Sequence, residues 1–142
     1  MSRKSLAALV TIAALASPVV AQASVKNSMQ PGRTFFGQVT SGIHPNRLVV
    51  LRNGTGIIQQ INRIGVAGSG GYIFTLPANT PLLKASGLTR CRVGLVLPAG
   101  TRCAFDVRVH TKRPGWWRSV LSATYTSGVF NSGQLEAHVV AS

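Results

Sequence analysis

The sequence predicts an all-β fold: a single-domain antiparallel β-sandwich, with a barrel as the alternative, behind an export leader. Three observations carry this reading. No apolar period of 3.6 residues holds for three turns. β-branched residues and Gly/Pro/Asn clusters recur roughly every 8–12 residues, the punctuation of short strands. Around the two cysteines, apolar and polar side chains alternate with the period of two that a half-buried strand requires.

The leader occupies residues 1–23. Arg3 and Lys4 form its positive end, Leu6–Ala16 its apolar run, and Ala21-Gln22-Ala23 a small-residue cleavage site. The apolar run is about half of the roughly 20 residues that a spanning helix needs. Cleavage would therefore leave a mature chain starting at Ser24, exported to the periplasm, cell surface or medium of a cell of bacterial type. Residues 24–33 are polar and read as a flexible arm, and 34–142 as the sandwich domain, large enough to bury one core.

Within the domain, Thr34–Thr40 and Arg47–Arg52 read as strands separated by the turn-rich Ser41–Asn46. Asn53-Gly54 then predicts a hairpin into a strand over Ile57–Ile64. Gly65–Gly71 reads as a loop, Tyr72–Leu76 as a strand and Pro77–Pro81 as a turn. Cys91–Leu97 and Thr101–Thr111 flank Pro98-Ala99-Gly100, and the last strands are Arg118–Thr126 and Leu135–Val140, separated by Gly128–Gly133.

Alternation assigns faces. Cys91, Val93, Leu95 and Leu97 share one face of their strand, and Cys103, Phe105, Val107 and Val109 one face of theirs. Both cysteines therefore point inward. As the only two in an exported chain, they predict a structural disulfide Cys91–Cys103 rather than a redox or metal pair. A tight hairpin over residues 98–101 would not place them opposite one another, so the bridge calls for a wider loop or a crossing between sheets.

Fifteen Lys and Arg face two acids, Asp106 and Glu136. Loss of Arg3 and Lys4 leaves 13 cations and a formal charge of +11, which favours polyanionic partners. Export turns that expectation toward acidic polysaccharide, lipopolysaccharide or an anionic membrane surface, and away from intracellular nucleic acid. The predicted binding surface is the polar face opposite the cysteines, with Arg90, Arg92, Arg102, Arg108, His110 and Lys112. The adjoining Arg113, Trp116, Trp117 and Arg118 add aromatic planes that can stack on sugars or bases beside the cations.

Chemistry is poorly served by the remaining residues. His44, His110 and His138 lack ligand-like spacing, which speaks against a metal. Asp106 and His110 share a strand face on the order of 13 Å apart, too far for an acid to orient a base. No serine lies in a Gly-x-Ser-x-Gly elbow, and Gly65–Gly71 lacks the Lys-Ser/Thr of a phosphate-cradling loop. The expectation is a non-enzymatic binding module without cofactor. Two further readings remain: a structural or assembly subunit of the cell envelope or a surface appendage, pairing with protein subunits through strand edges, and an exported inhibitor presenting Gly65–Gly71 or Gly128–Gly133.

Overall fold

The computed structural model describes residues 29–68, 73–110 and 113–141. The expected leader, residues 1–23, and residues 24–28 lie outside them. In chain order the elements are β1 (Met29–Gln30), β2 (Arg33–Thr40), β3 (Asn46–Arg52), β4 (Gln59–Ala67), β5 (Phe74–Thr75), α1 (Pro81–Ser86), β6 (Thr89–Arg90), β7 (Val96–Leu97), β8 (Arg102–Val109), β9 (Gly115–Tyr125) and β10 (Phe130–Val140).

Two sheets enclose one core. The first runs β1-β3-β8-β5, with β6 also on β8, and the second runs β2-β10-β9-β4-β7. The fold is thus the all-β sandwich expected. Inward side chains follow the period of two: Val49 and Leu51 from β3, Phe105, Val107 and Val109 from β8, Leu121 and Ala123 from β9, and Leu135, Ala137 and Val139 from β10 are all buried. At about 25 cal/mol per Å² of apolar surface removed from water, this packing is the main favourable term holding the sheets together.

The first ordered segment changes sheets. Met29 and Gln30 pair antiparallel with Leu51 and Val50 of the first sheet, whereas β2 runs parallel to β10 in the second. A cis Gln30–Pro31 peptide lies at the switch. Residues 29–33, expected within a loose arm, are structured because Met29 is a core residue. Its Sδ lies 2.9 Å from where a Cβ on Gly133 would be, so glycine at 133 makes room for it. β10 accordingly starts at Phe130, and the expected Gly128–Gly133 loop contracts to a turn closed by Gly128 N–H donating to Tyr125 O (2.8 Å).

Asn53-Gly54 does not turn a hairpin. β3 and β4 belong to different sheets, and the link between them is organised by Asn53, which is fully buried. Its amide donates to Ile57 O and Leu97 O (2.8 Å each), while its Oδ1 accepts from Thr55 N–H (3.0 Å) and Thr55 Oγ1 (2.7 Å). An Asx turn thus supplies the local bond that the sequence signalled, without pairing the flanking strands. Ile57 and Ile58 are left exposed and β4 begins at Gln59, running on through Ala67 into the expected loop.

The expected Cys91–Leu97 strand is also divided. β6 ends at Arg90 on the first sheet, and β7 pairs with β4 on the second, so the crossing exposes Val93. The disulfide is present, with Cα atoms 5.0 Å apart. It ties the residue after β6 to β8, because β6 lies parallel to β8 with Thr89 opposite Cys103. A one-turn helix, α1, replaces the expected turn's end: Thr80 Oγ1 caps Leu83 N–H (3.2 Å), Pro81 opens the helix and Gly87 closes it at φ 70°.

Candidate functional site

Each sheet has an outward face, and register places its residues. In the second sheet Arg33, Gln134, Val120 and Ala67 form one outward row, Phe35, Glu136 and Arg118 the next, and Gln38, His138 and Trp116 the third. At the centre Glu136 accepts from Arg33 Nε (2.7 Å) and Nη2 through one oxygen and from Arg118 Nε (2.9 Å) through the other. The Glu136 side chain is only 8% exposed, beneath guanidinium-bearing side chains that are 63% (Arg33) and 75% (Arg118) exposed. The hydrogen bond from Arg33 is the main reason its carboxyl stays below the usual glutamate range, with the charges of both arginines adding to the effect.

These residues border an open groove of about 550 Å³ that also takes in Gln134, Val120 and Gly68. Gly68, at φ 109°, approaches the backbone so closely that a Cβ would lie 3.0 Å from Arg118 O. One row beyond Arg118 and Glu136, outside the groove, Trp116, 59% exposed, stacks on His138 with ring centroids 4.1 Å apart and planes 7° apart. Phe35 is exposed in the neighbouring row.

In the first sheet, outward rows join Arg52 to Arg102, Val50 to Ala104 and Arg90, Leu48 to Asp106, and Asn46 to Arg108. This face is partly covered. Ala104 and Asp106 are buried, α1 packs on β3 and β8, and its Leu83 is buried apart from the main core. Asp106 accepts from the Asn46 amide through both oxygens (2.9 and 2.8 Å), and Arg108 Nε donates to Asn46 Oδ1 (3.3 Å). A carboxylate expected on a solvated strand face is therefore part of a buried polar network. Arg90 reaches back to Leu76 O (2.8 Å).

The predicted surface is consequently divided between two sheets. Arg90, Arg102 and Arg108 share the outward face of the first, because β6 and β8 are neighbours. Arg92 is exposed in the crossing that follows, and His110, just past β8, stacks on His44 (4.5 Å between centroids). Trp116 and Arg118 belong to the second sheet. Trp117 alternates inward, packs against the core and donates Nε1 to Arg113 O (3.0 Å), with the Arg113 guanidinium over its ring. Lys112 lies outside the described residues. Asp106 and Glu136, in different sheets, do not meet.

Arg33, Phe35 and His138 carry no local signal of a binding role. Arg33 joins the groove, and Phe35 and His138 the rows beside it, through the parallel pairing of β2 with β10, a contact between residues 103 positions apart for Arg33 and Glu136. The period-two pattern of β2 and β10 turns each of them outward, but nothing local indicates that the two strands are neighbours.

No family model and no curated protein matches the sequence. Solved structures resemble the fold. The VesB protease of Vibrio cholerae aligns with a TM-score of 0.57 at 11% identity, over 85% of this chain and 34% of that one. A family 123 glycoside hydrolase from Clostridium perfringens, described in terms of glycolipid glycan hydrolysis, gives 0.54 at 8% identity over 78% and 23%. An ASH/PapD-like domain of human CEP192 gives 0.54 at 9%, over 80% of this chain and 84% of the domain. This chain thus spans about a third of the protease and a quarter of the hydrolase, and these likenesses speak to the fold alone.

Proposed function

We propose that the chain is an exported, non-enzymatic binding module for an anionic glycan, such as an acidic polysaccharide or the saccharide of lipopolysaccharide, held on the outward face of the second sheet. The observation that carries this reading is the exposed Trp116–His138 stack one row from Arg118 and Glu136, on the same outward face as the groove that Arg33 and Arg118 line. An indole face packs against the apolar face of a sugar ring, and guanidinium groups bind its acidic substituent through paired N–H donors. Glu136 orients both arginines while neutralising only one of their two charges. Among the described residues the chain's other acid, Asp106, is engaged by Asn46, so no further carboxylate competes for them. The disulfide favours an oxidising compartment, which agrees with the leader read in the sequence.

Binding to immobilised heparin tests the proposal. The wild-type chain is retained and released by salt, because each cation contact displaces counterions. Arg33→Gln with Arg118→Gln and Trp116→Ala elutes at markedly lower salt. Unchanged elution of this variant refutes the reading.

A second reading, an assembly subunit, rests on β2, an eight-residue strand at the rim of its sheet that, among the described residues, is paired only with β10. Concentration-dependent sedimentation of the purified chain would favour it, and a monomer at high concentration would count against it.

A further inference from the structure

On the opposite side of the sandwich, Arg52 and Arg102 are direct cross-strand partners at the end of the β3–β8 ladder, both outward and both exposed. Like charges placed directly opposite, with Cβ atoms about 5 Å apart, repel one another. Among the described residues, neither guanidinium has a hydrogen-bond or ion-pair partner. The nearest acid on this face, Asp106, lies two rows away, buried and engaged by Asn46. Arg52 extends over the 98–101 turn, where a Cβ on Gly100 would lie 3.7 Å from its Nη2.

The two arginines form one end of a groove of about 480 Å³, whose remaining walls are Leu48, Val50, Gln30 and Pro31. Leu48 and Val50 point away from the main core and are half-buried, leaving an apolar floor. The site therefore joins an uncompensated dication to an apolar trough within the size range of small-ligand pockets.

We propose that this groove binds the phosphate-bearing end of an anionic lipid, with Arg52 and Arg102 holding the phosphate and Leu48, Val50 and Pro31 covering the first part of the acyl chain. A phosphate oxygen pair matches the planar guanidinium fork and removes the Arg52–Arg102 repulsion. The apolar floor selects an amphiphile over a free anion, because its surface is removed from water only when a chain lies on it. This inference stands apart from the glycan reading: the groove lies on the other sheet and shares no residue with it.

The test follows the Leu48 and Val50 methyl resonances of the full chain during titration with monomeric dodecyl phosphate, inorganic phosphate or dodecyl maltoside. Dodecyl phosphate shifts them at the lowest concentration. Inorganic phosphate and dodecyl maltoside, each lacking one half of the match, bind about tenfold more weakly or less. Arg52→Gln with Arg102→Gln weakens dodecyl phosphate binding by about tenfold or more, the loss expected for charge-assisted hydrogen bonds. It does not lower thermal stability, since it removes a repulsion. Arg33→Gln with Arg118→Gln leaves the titration unchanged, whatever its effect on heparin. Equal binding of inorganic phosphate or dodecyl maltoside, no shift with dodecyl phosphate, or full binding by the Arg52/Arg102 double variant would each overturn the proposal.

Discussion

Both outward faces of the sandwich carry a pair of arginines, but only one pair is compensated. On the second sheet Glu136 sits between Arg33 and Arg118, fixing their side chains over a groove, with the Trp116–His138 stack in the next row of the same face. On the first sheet Arg52 and Arg102 oppose one another across a ladder, above an apolar trough and without a carboxylate. With two acids against fifteen cations, placement of the acids decides what each face can do. An arginine pair with a shared carboxylate is preorganised and weakly cationic. A pair without one is strongly cationic, and favours a ligand that brings its own anion.

The largest expected effect comes from removing what anchors the first face. Replacing Cys91 and Cys103 by Ala opens a loop with a sequence separation of 12 and lowers unfolding free energy by about 3 kcal/mol in the chain-entropy model. Denaturant unfolding under oxidising conditions measures it. Because Arg102 precedes Cys103 in β8, signals from Arg52, Arg102 and Val50 should broaden before those of Trp116 and His138.

Next in size is Glu136→Gln, which makes the second face resemble the first. Two guanidinium groups lose their shared anion, so heparin elution moves to higher salt and the slope of log affinity against log salt steepens by about 1. Thermal stability falls at neutral pH, and the pH dependence has a defined sign. The folded-state carboxyl is held below its unfolded value, so its contribution is complete above the ordinary glutamate range and fades as pH drops through the lowered folded value. The Glu136→Gln variant loses that component of acid sensitivity, which parallel thermal melts from neutral to acid pH would show.

Smaller still is Arg52→Gln, expected to stabilise the chain by about 0.5 kcal/mol through relief of the cross-strand repulsion. The same change at Arg118 should destabilise it instead. Equal signs for the two substitutions in denaturant melts would erase the distinction between the faces.

Much of this architecture is written in local alternation. Thr34–Thr40, Arg47–Arg52 and Thr101–Thr111 match β2, β3 and β8 nearly at their boundaries, since each has one face in the core and shows a period of two. The disulfide followed from two cysteines and the expectation of export. Sheet membership was not legible. Asn53-Gly54 carries the chemistry of a turn, yet the Asn53 side chain satisfies the bend locally and leaves the strands free to enter different sheets. The helix α1 spans six residues, too few for any period, although Thr80, Pro81 and Gly87 mark its ends.

The site shows the same limit. Trp116 and Arg118 could be picked out by residue type, but the alternation that turns Trp117 inward becomes visible only once β9 is seen to begin at Gly115. Arg33 reaches the groove through pairing between the first and last long strands, which no local pattern encodes. Grouping Arg90 with Arg102 and Arg108 was sound in strand geometry. It overlooked what covers that face: α1 packs on β3 and β8 while the buried Asp106 is held by the half-buried Asn46.

The central claim, that an anionic glycan occupies the second sheet's outward face, is tested most directly by backbone and indole NMR of the chain titrated with a short heparin oligosaccharide. The account predicts shifts at the Trp116 indole and at Arg33, Phe35, Arg118, Glu136 and His138, diminishing as salt is raised. Shifts confined to Arg52, Arg102 and Val50, or no shift at all, would contradict it.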